Sequence, residues 1–445
     1  MIEYIIYQIR GSVNTMDSSA LGSENRWYRL DNAAKIYPAI SSSKRRTVFR
    51  VAVQLLTEVN PKILQEALFL VLPRFPAFAV KMKKGLFWYY FEPNTDKPVI
   101  VEEKAPPCRA IDVEETNGFL FRVSYFKKRI NLEVFHALTD GTGAVCFLKT
   151  LLFRYLAQSG YELHHNENVI DFSEPPNLGE IEDSFRKYYL PKNRGGWSEE
   201  KAYQVSGPRV PSESARIIQG IIILKDFIGM TMKKNVTVTE YIAALIIYSI
   251  YATELKGREC YKPVKVSVPV NLRNLFPSRT LRNFSSYMNI GISFENREYS
   301  FDEILFDISK QMRANKKPEK LKEKISANVN AERNLLMRMA PLFIKDIVLK
   351  TAFNLFGEKL ITCTLSNLGC FGIPESMEKQ VERFEFLLGP PAINMLNCTV
   401  SSFKENLTIC FVSVSEKTDI EKYFFHHIVE NGLGVIIETN RDVSV

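Results

Sequence analysis

A chain of 445 residues exceeds one ordinary hydrophobic core, and two lobes of roughly 150–250 residues each are expected. Hydrophobic residues make up 46% and charged residues 24%, an ordinary globular balance with no stretch approaching the roughly 18–20 apolar residues of a membrane span. The net charge of +8 suits an anionic ligand such as a phosphorylated cofactor, but the basic runs 127–129 and 316–324 lack interleaved aromatics, so nucleic acid is not indicated.

In chain order, residues 1–22 read as a disordered leader. The apolar start is short and lacks the basic region and cleavage site of a signal peptide, and Met16 is an alternative start. Residues 47–56 are β-branched and apolar, which predicts a strand. Asn60 caps a helix with Pro61 at its first position, running to about residue 72. Residues 78–82 and 86–91 flank Lys83-Lys84-Gly85 as a hairpin, and 119–126 with 130–135 suggest another. Residues 143–157 have the broad apolar face of a helix.

Turn residues then crowd 159–214 and periodicity fades. This gives an N-terminal subdomain at 23–160, a linker at 161–214 and a C-terminal subdomain at 215–445. Beyond the linker, 217–224 predicts a strand. Thr237 and Glu240 form a capping box that opens a nearly all-apolar, buried helix to about residue 255. A buried strand at 264–270 follows, and Ser300 with Glu303 caps another helix. Helical pattern runs from 318 to 355, broken at Pro341, before strands at 360–366, 381–388, 395–403 and 407–414 and a last helix at 419–430.

The seven cysteines are odd in number and show no C-x-x-C pair, which predicts reduced thiols, a cytoplasmic protein and no zinc site. The five histidines lie in three places: His136, His164-His165 and His426-His427. Adjacent side chains do not converge on one ligand, so no metal is expected. His136 differs. It follows the strand 130–135 and precedes Asp140-Gly141-Thr142-Gly143 and a helix. An imidazole with an unperturbed pKa near ~6.5 accepts a proton at neutral pH. From the residues alone, a lone strand-end histidine with a nearby aspartate is more often structural.

His136-Ala137-Leu138-Thr139-Asp140-Gly141 resembles the His-x-x-x-Asp-Gly motif of the chloramphenicol-acetyltransferase-like and condensation-domain superfamily. Other segments resemble that superfamily in the same order: 236–241, then 268–273 with Arg282-Asn283-Phe284, then Leu365-Ser366-Asn367-Leu368-Gly369. The similarity spans roughly residues 25–440 and points most to the free-standing bacterial alcohol-acetyltransferase-like proteins. It implies an α/β fold of two chloramphenicol-acetyltransferase-like subdomains, each a mixed sheet flanked by helices, with an active-site tunnel between them. It also implies acyl transfer from a thioester, acyl-CoA or a phosphopantetheine arm, to a small alcohol or amine. His136 would be the general base, with no bound cofactor and no covalent enzyme intermediate. The absence of a G-x-S-x-G elbow agrees. The plant branch's Asp-Phe-Gly-Trp-Gly motif is missing.

Spacing alone would let Asp140 orient the imidazole. The resemblance instead pairs it with an arginine, here Arg273, to hold the loop, with Gly141 and Gly143 permitting the tight turn. Ser366 and Asn367 are candidate oxyanion or substrate contacts, or else a strand-ending turn. Gly141-Thr142-Gly143 is a poor dinucleotide fingerprint, because Cys146 stands at the third glycine position and no acidic residue ends a second strand. The rival functions are a condensation-type enzyme fed by an acyl carrier protein in trans, a thioesterase, and a non-catalytic binding protein of the same fold.

Overall fold

Strands form where β-branched and aromatic residues line up between turn residues. A computed structural model describes residues 27–42, 45–191, 199–258 and 260–440 of the chain, so the expected leader at 1–22 lies outside the described residues. In chain order the strands are β1 Tyr28–Arg29, β2 Val48–Leu55, β3 Val80–Lys84, β4 Tyr89–Pro93, β5 Ile100–Glu102, β6 Phe121–Phe126, β7 Arg129–Phe135, β8 Arg216–Ile223, β9 Cys260–Asn271, β10 Ser285–Phe294, β11 Cys363–Cys370, β12 Val381–Leu388, β13 Leu396–Phe403, β14 Asn406–Ser413 and β15 Val435–Thr439. They build a three-stranded sheet β1-β4-β3, a five-stranded sheet β12-β2-β7-β6-β5 and a seven-stranded sheet β10-β9-β11-β13-β14-β8-β15. Both larger sheets mix parallel and antiparallel pairs, as β5 with β6 and β11 with β13 run parallel.

Helices cover the sheets where apolar stripes demand it. Pro61–Val71 starts on Asn60, whose side chain accepts from the backbone N–H groups of Lys62 and Ile63. Both expected capping boxes are present, on Val238–Ile250 and Phe301–Asn315. The stretch Val238–Leu255 is long and apolar enough to cross a membrane. Residues 241–247, however, are each fully inaccessible within the larger core, so here it packs as a core helix. All seven cysteines are unpaired.

Two expectations about organisation change. Described residues of the expected linker at 161–214 pack into both cores. Val169 joins the N-terminal core and Phe185 the C-terminal one, and Arg74 clasps Glu180 bidentately at 2.6 and 2.8 Å. Turn-rich composition signals the lack of regular elements, not the lack of burial. Nor is 215–445 self-contained, because β12 leaves it to pair antiparallel with β2 at the edge of the N-terminal sheet. Arg383 on β12 then reaches Glu438 on β15 at 2.9 Å, tying the two large sheets together.

Candidate active site

β7 carries the site to the seam between the sheets. The His136 backbone N–H donates to the Thr47 carbonyl at 2.9 Å, so strand pairing continues up to the residue that bears the ring. Tyr37, from the short helix Ile36–Ile40, stacks on the imidazole with centroids 4.4 Å apart and planes 15° apart. Phe49 of β2 meets the ring edge-on at 5.0 Å. Burial pulls the His136 pKa below 6.5, opposed by a contact with its own backbone, the charge of Asp140 and the Asn283 amide. The ring is therefore neutral at pH 7. The residue nonetheless keeps partial solvent access.

The partner on the ring is not an acid. Asn283 Oδ1 lies 3.1 Å from His136 Nδ1, and none of the described hydrogen bonds reaches Nε2. Asn283 sits just before β10, 147 residues from His136, so this bond crosses between the two sheets. Behind it, Asn283 Nδ2 donates to Asp31 Oδ2 at 3.3 Å. Asp31 is fully buried, and burial pushes its carboxyl up to about 6.

Asp140 faces elsewhere. Its Oδ1 accepts from the Thr142 and Gly143 N–H groups and caps the helix Gly141–Gln158, which starts two residues earlier than periodicity suggested. Its Oδ2 takes Arg273 Nη1 at 2.8 Å and the Phe284 N–H at 2.9 Å. Arg273 also donates to the Thr280 and Arg282 carbonyls. The clamp thus joins the helix after β7 to the turn between β9 and β10, and Asn271 adds a bond to Thr142 at 3.2 Å. Among the described hydrogen bonds, none joins the Asp140 side chain to the His136 ring.

Gly143 is needed for a different reason from the expected one. Neither Gly141 nor Gly143 has a positive φ. An added Cβ at Gly143 would stand 2.1 Å from the Leu281 carbonyl oxygen, so the glycine serves close approach of two backbones. At Gly141 the obstacle at 2.5 Å is a flexible methyl of Leu368, which can yield.

Ser366 and Asn367 lie inside β11 rather than in a turn, because the strand runs on to Cys370. The Asn367 side chain is committed, donating to Thr239 Oγ1 at 2.9 Å and accepting from the Gly369 N–H at 2.7 Å. None of the described hydrogen bonds joins either residue to His136. The remaining histidines are remote in role: His165 meets Phe153 edge-on, His427 packs on Phe301, and His426 faces Glu430 at 3.1 Å. Two small surface clefts, one lined by Val205, Glu254 and Ser415 and one by Pro106, Ile217 and Leu387, lie away from His136, and neither is the expected tunnel.

Sequence reasoning missed Tyr37, Asp31 and the role of Asn283. A faint signal existed for the last, since Arg282-Asn283-Phe284 contributes to the resemblance.

Two mixed sheets meet at the loop 136–141, and the fold they build is the one found in solved condensation domains and acetyltransferases. Among solved structures, the chain is similar to trichothecene 15-O-acetyltransferase from Fusarium sporotrichioides, with a TM-score of 0.58 at 12% identity over 93% of this chain and 96% of that one. It is also similar to a mutant starter condensation domain of rhizomide synthetase in complex with C8-CoA (TM-score 0.57, 14% identity, covering 90% of this chain and 93% of that one). Polyketide synthase associated protein 5 from Mycobacterium tuberculosis gives 0.56 at 12% identity, over 90% and 96% of the two chains. No protein-family profile and no curated protein matches the sequence itself.

Proposed function

We propose that this chain is an acyltransferase that moves an acyl group from acyl-CoA to a hydroxyl or amine of a small molecule, with His136 as general base. One observation carries the reading: a neutral imidazole at the seam of two sheets, held through Nδ1, with Nε2 left to act. The acceptor oxygen or nitrogen attacks the thioester carbonyl while Nε2 takes its proton. The tetrahedral oxyanion then collapses, the C–S bond breaks, and the imidazolium returns the proton to the departing thiolate. The products are an ester or amide and free thiol. A positioned base of this kind contributes about 10²–10⁴-fold.

The oxyanion needs a donor, and Ser366 is the better of the two expected candidates because Asn367 is already engaged. The unpaired thiols fit a reducing compartment, and we place the enzyme in the cytoplasm. The likeness to condensation domains favours a second reading, in which the donor rides on an acyl carrier protein. The test is a screen of acyl-CoAs, and of acylated carrier proteins, against alcohols and amines, following thiol release and product mass. Transfer from acyl-CoA is expected. Transfer from loaded carrier alone would favour the second reading, hydrolysis alone would make the protein a thioesterase, and no thiol release from any donor would contradict acyl transfer.

A further inference from the structure

The chain Asp31–Asn283–His136 has a directional logic. A carboxylate only accepts hydrogen bonds, whereas an amide both donates and accepts. Asp31 Oδ1 accepts from the Ala34 N–H at 2.8 Å, and Oδ2 faces Asn283 at 3.3 Å. With Asp31 ionised, Asn283 must therefore present its NH₂ to Asp31. That leaves its carbonyl oxygen facing His136 Nδ1 at 3.1 Å. An oxygen facing a ring nitrogen requires N–H there. The ring then carries its proton on Nδ1, and Nε2 holds the lone pair that a base needs. Both relay residues are buried, at 0% and 1% exposure, so water cannot readily substitute for either contact.

We infer that Asp31 and Asn283 are positioning residues that fix the tautomer of His136, the part an acidic partner plays directly in a Ser-His-Asp triad. The inference rests on the acyltransferase reading for its purpose but not for its test. Asp31→Asn is nearly isosteric and shows the logic in reverse. The introduced amide oxygen can still accept from the Ala34 N–H, and the amide NH₂ then points at Asn283. Asn283 must flip to accept that bond, turning its own NH₂ toward His136 Nδ1. That nitrogen becomes the acceptor, the ring's own backbone contact is overridden, the proton moves to Nε2, and the base is lost. Nearby Arg282 does not remove the constraint, because its Nε stays 3.7 Å from Asp31 Oδ2 and its terminal nitrogens donate to the Ile181 and Arg29 carbonyls.

Nitrogen-15 histidine NMR of the full-length chain, with the His136 signals assigned by loss in His136→Ala, reads the tautomer without substrate. At pH 7.5 the wild-type protein is expected to show Nδ1–H, and Asp31→Asn to show Nε2–H. The same variant, folded by circular dichroism, is expected to lose about 10²-fold or more in kcat with a smaller change in KM. Wild-type His136 found as Nε2–H overturns the inference, even if Asp31→Asn fails to fold. So does an Asp31→Asn protein that keeps Nδ1–H and full turnover. If no substrate pair is ever turned over, the tautomer result still decides this point, and the failure belongs to the functional reading alone.

Discussion

Two carboxylates flank the same loop, and their surroundings assign them opposite tasks. Asp140 receives an arginine and three backbone N–H groups, so its charge is fully met and it serves as a bolt between the sheets. Asp31 receives one backbone N–H and one amide at hydrogen-bond distance, with Arg282 held off at 3.7 Å, and burial raises its carboxyl to about 6. The difference shows that proximity to a histidine does not define a dyad. What matters is where the lone pairs point. The acid inside the motif holds the fold, while the acid far upstream of it reaches the ring through an amide.

This contrast can be broken most severely at the bolt. Removing one member of a buried ion pair leaves the other charge uncompensated, so Asp140→Ala or Arg273→Ala is expected to cost about 3–5 kcal/mol. Equilibrium denaturation checks this, and a double-mutant cycle should show the two losses to be strongly non-additive. A fully stable but inactive Asp140→Ala would instead make Asp140 part of the chemistry.

The other acid should show itself through pH. Asp31 titrates at 3.8 when unfolded and at about 6 when folded, because burial outweighs Arg282, the Ala34 N–H and Asn283, and Asp183 adds to the rise. Between those values the native chain holds a proton that the unfolded chain has released. Stability contributed by this group is therefore present below the unfolded value and lost as pH rises through about 6. The loss amounts to about 3 kcal/mol. The stability difference between wild type and Asp31→Asn, measured by denaturant unfolding from pH 3 to 7.5, is expected to change by that amount. A constant difference would place Asp31 in an ordinary solvated setting.

A smaller effect sharpens the bolt side. Gly143→Ala forces the Leu281 carbonyl away from the capped turn and is expected to cost about 1–3 kcal/mol, while Gly141→Ala, which meets only a movable leucine methyl, costs less. Thermal unfolding of the two variants side by side tests the ranking.

Much of the frame was legible in the sequence. The strand leading to His136, the Asn60 cap and both capping boxes depend on residues within a few positions of one another, and the structure places them where those signals fall. Short or unpatterned elements were not legible. Ile36–Ile40 has five residues and no side-chain cap, yet it delivers Tyr37 to the imidazole. The crossing of β12 into the other sheet leaves no local mark, because a strand's alternation says nothing about its partner. The contacts that orient His136 join residues 147 and 252 positions apart, and no spacing rule connects them.

Catalysis is assigned here to one nitrogen, Nε2 of His136. Its direct measure is single-turnover acyl transfer, with thiol release followed for wild type and His136→Ala on whichever donor and acceptor the screen identifies. A general base at this position predicts a fall of about 10²–10⁴-fold in rate with the variant's unfolding curve little changed. A His136→Ala protein that transfers acyl groups at the wild-type rate would contradict it.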